Sequence, residues 1–338
     1  MATVNRQITL ASRPVGLPKV SDFQLAYSSL PAPASGEVLV RSAYLSLDPE
    51  LREQMATGED EDPELPVSVG KVLPSDAVAY VVQSQDPAFQ EGDAVEGLLG
   101  WQEYAVAPAR RLRKIDPSLA PISTALGVLG LPGLTAFFGL LEVAAARPGE
   151  TVLVSGAAGA IGMLAGQIGK IVGCRVIGVV SSDQRVAWLM TDLGFDGAFN
   201  HKSTRDLEGK LSELCPDGID VYFDNIGGAL TDAAMCKVNR YARIAICSQQ
   251  SQYNLEEPEH GPRCFRNLIA KEARVEGFRV NRFAKRFPAA LDQLTRWLKA
   301  GQLKYFEDVA QGIEAAPQAF IGMLQGKMQG KPLVQLAF

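Results

Sequence analysis

Apolar positions in the first 125 residues come in short runs that alternate with polar ones. EVLVRSAYLSL (37–47), DAVAYVVQSQ (76–85) and QEYAVAP (102–108) are the clearest, and Pro, Gly and Asp separate them. Period-two alternation with frequent breakers predicts the strands of a compact β-rich domain with irregular turns. From about residue 126 the pattern lengthens. TVLVSG (151–156) predicts a strand, AIGMLAGQIGKIVG (160–173) a helix, CRVIGVV (174–180) a strand and DQRVAWLMTDLG (183–194) a helix closed by Gly194. GAFN, a helix around TRDLEGKLSELC, IDVYFD (219–224), a helix over 229–238 and ARIAIC (242–247) continue the alternation. RVEGFRV (274–280) predicts one more strand, PAALDQLTRWLKAG a helix ending at Gly301, and the final PLVQLAF turns β-like again. Strand and helix taking turns imply a parallel sheet covered on both faces. The last run returns the chain to the first domain and makes that domain discontinuous.

The junction between TVLVSG and its helix carries the first chemical signal. Aligned on the dinucleotide fingerprint, Ala157, Gly159 and Gly162 occupy the three glycine positions, with Gly156 just before them. A strand leads in and a helix leads out, so N–H groups at the helix start can face a pyrophosphate, and Gly159 lets it come close. The same small residues would also serve a tight turn that only packs a helix on a sheet. At the end of the second strand, where an NAD-selective site has an acidic residue, stand Ser181 and Ser182, followed by Arg185. That favours a 2′-phosphate. Asp183 reads either as the N-cap of the next helix or as an acidic ribose partner. Arg185 reads either as the phosphate cation or as a solvated charge on the first helical turn.

Composition narrows the class. The chain has 338 residues, 47% hydrophobic and 21% charged, with a formal net charge of −5, so two cored domains are expected and no basic excess points to nucleic acid. No run approaches the length needed to span a bilayer, and the start, MATVNRQITLASRPVG, lacks an apolar core of signal-peptide length. A cytoplasmic location is expected. Five widely spaced cysteines, Cys174, Cys215, Cys236, Cys247 and Cys264, are expected to be reduced, mostly structural thiols. They form no close pair, and His201 and His260 lie far apart, so no metal site is expected.

YLSLDP (44–49), GWQEYAV (100–106), GLPGLTAFFGL (130–140), SGAAGAIG (155–162), DVYFDNIGG (220–228), ARIAICSQQSQYN (242–254) and FIGMLQGK (320–327) together carry a resemblance that covers nearly the whole chain. The chain resembles the zinc-independent medium-chain dehydrogenase/reductase superfamily, in the branch of leukotriene B4 dehydrogenase, prostaglandin reductases, plant double-bond reductases and bacterial curcumin reductases. The resemblance implies an α/β protein: a GroES-like β-rich catalytic domain from residues 1–125 and 301–338, and a doubly wound Rossmann domain from 126–300. It also implies NADPH as cofactor, an α,β-unsaturated carbonyl as substrate, and a homodimer. By the family pattern Ala158, Gly159, Ala160 and Ile161 touch the cofactor phosphates, with Gly162 completing the turn. Arg185, beside Ser181, stands where a Lys usually grips the 2′-phosphate, and Arg for Lys keeps the charge and adds a bidentate fork. Asn225 contacts the cofactor. Cys247, Ser248, Gln249 and Tyr253 lie along the nicotinamide half, with Phe278, Arg279 and Val280 on its far side. Three positions depart from the pattern: His201 replaces a Tyr near the adenylate phosphate and makes phosphate binding sensitive to pH, Met328 replaces a polar Asn, and Glu50 replaces a Tyr near the substrate mouth.

The implied chemistry is hydride transfer to the β-carbon of an enone, with charge gathering on the carbonyl oxygen. A hydroxyl aimed at that oxygen stabilises the transition state more than the ground state. Tyr253 is the first candidate donor, with the alternative that its ring only packs under the cofactor. Tyr44 is the second, read equally as donor or as wall of the substrate site. A quinone reductase of the same superfamily and a non-catalytic NADPH-binding sensor are the competing readings.

Overall fold

The computed structural model of the chain describes residues 4–56, 67–257, 259–262 and 264–336. The period-two runs form strands β1 (Val4–Leu10), β2 (Phe23–Ser29), β3 (Glu37–Ser46), β4 (Asp76–Ser84), β5 (Ala94–Leu98), β6 (Tyr104–Pro108) and β7 (Arg113–Lys114), with a short helix α1 (Leu51–Gln54) after β3. β1 and β2 pair with each other, while β3 is the spine of a larger antiparallel sheet. One edge of β3 meets β4; on the other, Glu37–Arg41 pair with β6. Inside, the fully buried Trp101 stacks on Phe23 with ring centroids 5.9 Å apart and meets Phe320 edge-on at 5.7 Å.

The middle of the chain runs α2 (Leu131–Phe138), β8 (Thr151–Ser155), α3 (Ala160–Ile171), β9 (Arg175–Val180), α4 (Asp183–Thr191), β10 (Gly197–Asn200), α5 (Leu207–Leu214), β11 (Ile219–Asp224), α6 (Gly228–Met235), β12 (Val238–Ile246), α7 (Arg266–Lys271), β13 (Arg274–Gly277) and α8 (Phe287–Lys299). Its six strands are parallel in the order β10-β9-β8-β11-β12-β13. This is a doubly wound sheet whose order reverses between β8 and β11. Alternate residues feed opposite cores: Val152, Val154, Val221 and Phe223 enter one apolar cluster, Leu153 and Tyr222 the other. That is why these strands read as unbroken apolar runs rather than alternating ones.

Finally β14 (Glu307–Gln311), α9 (Ala316–Leu324) and β15 (Lys331–Gln335) follow, and β15 pairs antiparallel with β3 at Tyr44–Ser46. The described residues up to Leu126 and from Glu307 form one compact unit, and Gly127–Phe306 the other. Among the described residues no helix is long and apolar enough to cross a membrane.

Three expectations change. The helix expected to reach 238 stops at Met235, and ARIAIC is the second half of a longer strand that begins at Val238. RVEGFRV keeps only Arg274–Gly277 in the sheet; the chain then leaves it, and Val280–Arg286 coil as 3₁₀ turns that bury Val280 against Leu134, Phe138 and Ala290. The expectation of reduced thiols fails for Cys236 and Cys264, which are joined as a disulfide with Cα atoms 6.1 Å apart. Folding brings the end of α6 beside the segment before α7, a proximity that 28 residues of separation hide.

Glycine sets how closely α3 approaches the sheet. The Phe195 ring fills the space left by Gly178 on β9 and Gly166 on α3, and a Cβ at Gly166 would come within 1.9 Å of that ring. Phe195 is only 4% exposed and enclosed by the surrounding core. Gly166→Ala therefore overpacks this core and is expected to cost about 1–3 kcal/mol, read as a lower urea midpoint. An unchanged midpoint would show that the ring is free to retreat.

Candidate cofactor site

The turn between β8 and α3 is built from backbone. Gly156 has φ +59°, and its carbonyl accepts the Gly159 N–H at 3.0 Å. A Cβ at Gly162 would come within 2.3 Å of that same carbonyl, so the helix can close onto the turn only with glycine there. At Gly159, by contrast, a Cβ would meet only the Gly156 carbonyl, at 3.4 Å, and the residue is exposed. The turn can thus be approached closely from outside. Gly159 is also the N-cap of α3, with no side-chain cap and no acidic residue in the first turn. Helix geometry leaves the first N–H groups, those of Ala160, Ile161 and Gly162, without intrahelical acceptors. Together with the helix dipole they form a site for an anion. Gly162 thus serves packing, while Gly159 leaves the turn open to close approach.

Beyond β9 the site gains a cation. Arg185 is 8% exposed and donates from Nη1 to the Ser181 hydroxyl at 2.8 Å. A guanidinium so enclosed is not a solvated surface charge. The N-cap of α4 is Ser182, so the expectation that Asp183 caps this helix is corrected. Asp183 is the first helical residue, and its Oδ1 accepts from Asn200 Nδ2 at 2.9 Å. His201 follows β10, with its backbone N–H on the Val180 carbonyl at 2.9 Å. Burial first, and then Lys202, lowers its imidazole pKa, so at pH 7 it is a neutral hydrogen-bonding group.

The third part lies where the strand order reverses. Asn225 follows β11, and its side-chain amide donates to the Ser155 carbonyl at 2.7 Å while its backbone N–H donates to the Ser155 hydroxyl at 2.8 Å. The Asn225 carbonyl accepts from the Ser248 hydroxyl at 2.7 Å, and the Cys247 N–H donates to the Asp224 carbonyl at 2.8 Å. The structure thereby draws Asn225, Cys247, Ser248 and Gln249 together, with Tyr253 half-buried in the turn that follows. Burial, and then the Asp224 charge, pushes the Cys247 thiol up to about 12, which removes it as a nucleophile. Phe278 meets Phe223 edge-on at 6.4 Å, and Arg279 follows it, exposed.

Tyr44, Glu50 and Met328 belong to the other unit. Tyr44 lies in β3, opposite Val78 and Gln335, and burial, followed by Glu307 and Tyr80, raises its phenol so that it stays protonated. Glu50 is exposed at the start of α1, and Met328 is half-buried before β15. Sequence reasoning overlooked Asp224, which is fully buried at the end of β11. Its signal was there: an acid closing the apolar run of DVYFD is out of place unless many donors surround it.

A phosphate turn, an enclosed arginine and a loop anchored across the strand reversal fit a dinucleotide carrying a 2′-phosphate. Comparison with known proteins agrees. The family model described as the N-terminal domain of oxidoreductase matches residues 6–115, and that described as zinc-binding dehydrogenase matches residues 160–296. The chain is 41% identical to the NADP(+)-dependent 2-alkenal reductase of Nicotiana tabacum, covering 98% of each. It is also 41% identical to prostaglandin reductase 1 of Bos taurus, over 97% of this chain and 98% of that one. The chain belongs to the zinc-independent medium-chain dehydrogenase/reductase superfamily. Within this superfamily, the crystal structure of CurA in complex with NADPH from Vibrio vulnificus superposes with a TM-score of 0.92 at 39% identity, covering 98% of this chain and 99% of that one. Although one matching superfamily model is named for zinc, the described residues hold no group of three or more His, Cys, Asp or Glu that could bind a metal ion.

Arg185→Ala tests the cation. Loss of a charge-assisted hydrogen bond is expected to weaken 2′,5′-ADP binding by about 1.5–3 kcal/mol and to leave 5′-AMP binding unchanged, as measured by titration calorimetry. Equal weakening of both ligands would remove Arg185 from the 2′-phosphate.

Proposed function

We propose that this chain is an NADPH-dependent reductase of the C=C bond of α,β-unsaturated aldehydes and ketones. The observation that carries the reading is the pairing of the phosphate turn with the enclosed Arg185, in a chain 41% identical to an alkenal reductase over 98% of both lengths. Residues Ala158–Gly162 hold the pyrophosphate, and Ser181 and Arg185 hold the 2′-phosphate, with His201 as a neutral neighbour. Asn225, Cys247, Ser248 and Gln249 line the nicotinamide half, Phe278, Arg279 and Val280 its far side, and Met328 supplies an apolar contact. When bound, NADPH would supply the hydride for the β-carbon of the substrate, and solvent the proton for its α-carbon. Tyr253 donates its phenolic proton as a hydrogen bond to the carbonyl oxygen as negative charge gathers there. A donor worth more at that moment than in the ground state lowers the barrier. Tyr44, kept protonated, is the second donor, and Glu50 stands toward the substrate side.

A homodimer is proposed on the same footing. β13 is the outer strand of the parallel sheet, with Val275 exposed on it and Phe265 and Ile269 exposed close by in sequence, at 62% and 84%. An edge strand flanked by exposed apolar groups is suited to pairing with a second copy. Light scattering is expected to give twice the chain mass, and Val275→Lys to give the single mass. A monomeric wild-type protein would sink this. A reductase that consumes NADPH works where the cell keeps reduced pyridine nucleotide, which supports a cytoplasmic location.

The activity is tested by following NADPH oxidation with enals, enones and quinones and identifying the products. Saturated aldehydes and ketones are expected, and Tyr253→Phe is expected to lower kcat and kcat/KM together by roughly ten- to a thousand-fold, with NADPH affinity little changed. Reduction of quinones alone would overturn the proposed reaction, and near wild-type turnover by the variant would move the donor role away from Tyr253.

A further inference from the structure

Asp224 is a fully buried acid for which phosphate binding and hydride transfer assign no role. Among the described residues it makes no ion pair. Instead both its oxygens are saturated by donors. Oδ1 accepts from the Ser155 hydroxyl at 2.9 Å, the Tyr222 hydroxyl at 2.8 Å, and the backbone N–H groups of Ile226 and Gly227 at 3.0 Å each. Oδ2 accepts from the Thr231 hydroxyl at 2.6 Å and from Gln249 Nε2 at 3.1 Å. The two oxygens therefore have different reach. Oδ1 grips the end of β8, immediately before the phosphate turn, and the start of α6. Oδ2 grips the first turn of α6 and, through Gln249, the loop that follows β12.

Gln249 is wedged as well as bonded. Its Oε1 lies over Gly227, where a Cβ would come within 2.2 Å of it, and Nε2 also donates to the Ser248 carbonyl at 3.0 Å. Gly227 has φ +80°, a conformation that glycine adopts without strain. The backbone is thus shaped to let this amide reach the carboxylate.

We propose that Asp224 is a positioning residue: one carboxylate sets the nicotinamide-side loop 247–253 against the phosphate turn, by holding Ser155 with one oxygen and Gln249 with the other. The proposal rests on the dinucleotide reading above. A dinucleotide is held at both ends, so its geometry depends on the span between turn and loop. A loop already held at that span need not be ordered when the ligand arrives.

The two oxygens make the idea testable with an isosteric change. In Asp224→Asn the new NH₂ cannot take the Oδ1 position, because two backbone N–H groups donate there. It takes the Oδ2 position, where the Thr231 hydroxyl can turn to accept but the Gln249 amide faces it donor to donor, and turning that amide over would set its oxygen against the Ser248 carbonyl. Only the loop is released. In Asp224→Asn with Gln249→Glu the polarity is reversed, and the introduced amide donates to the introduced carboxylate, at the loss of the Gln249 bond to the Ser248 carbonyl.

Binding of NADPH and of 2′,5′-ADP, and the fluorescence emission of bound NADPH, report the two ends separately. Asp224→Asn and Gln249→Ala are each expected to weaken NADPH about tenfold, to leave 2′,5′-ADP within about twofold, and to shift the bound emission toward that of free NADPH. The double variant is expected to recover part of the affinity and of the emission. Unchanged NADPH binding, equal losses for both ligands, or a folded double variant without recovery overturns the proposal. If Asp224→Asn does not fold, Gln249→Glu compared with the double variant isolates the bond between positions 224 and 249, because both carry the same side chain toward the cofactor: tighter NADPH binding by the double variant supports the proposal, and equal binding overturns it. None of these readouts needs an enone. A wild-type protein that binds NADPH yet reduces no enone would overturn the proposed reaction and leave this inference standing.

Discussion

A parallel strand buried on both faces has room for polar chemistry only where it ends. Every residue of β8 is buried, and β11 is buried along almost its whole length, so neither face can present a functional group without breaking the core. Because all six strands point the same way, their carboxyl ends gather on one side of the sheet. Ser155, Ser181, Asp224 and Cys247 each stand at or just beyond such an end. The site is therefore a by-product of how the core must be built, and it inherits the rigidity of the sheet.

Much of this architecture was legible because it follows from periodicity. Unbroken apolar runs bounded by breakers marked β8, β9 and β11, and the small residues after β8 marked the turn that a helix enters. What periodicity cannot show is where tertiary contacts overrule a local pattern. RVEGFRV reads as one strand, yet Val280 belongs to a separate apolar cluster with Leu134 and Phe138, and the backbone leaves the sheet after Gly277. Val238 and the residues after it carried too little apolar alternation to mark a strand, but pairing with β11 draws them into β12.

The site was legible to different degrees for similar reasons. The candidates read from spacing, Ala157, Gly159, Gly162 and Arg185, sit at one junction or just beyond the next strand, so sequence distance stands in for spatial distance. Asp224 joins Ser155, Thr231 and Gln249, which are 69, 7 and 25 positions away, and no local pattern encodes that meeting. The capping role of Asp183 failed for a subtler cause: Ser182 and Asp183 are both good caps, and the Asn200 side chain fixes the second of them one position inside the helix.

The last strand has a temporal consequence. One edge of β3 is shared, Glu37–Arg41 going to β6 and Tyr44–Ser46 to β15, and the buried Lys331 reaches Asp48 at 2.5 Å as it docks. As the chain leaves the ribosome, residues 127–306 are complete before β15 exists. The doubly wound sheet can form during synthesis, whereas the antiparallel sheet around β3 must wait for β15 with part of its backbone unpaired. Until β15 arrives, β3 keeps an unpaired edge at Tyr44–Ser46, and that edge needs protection while translation continues.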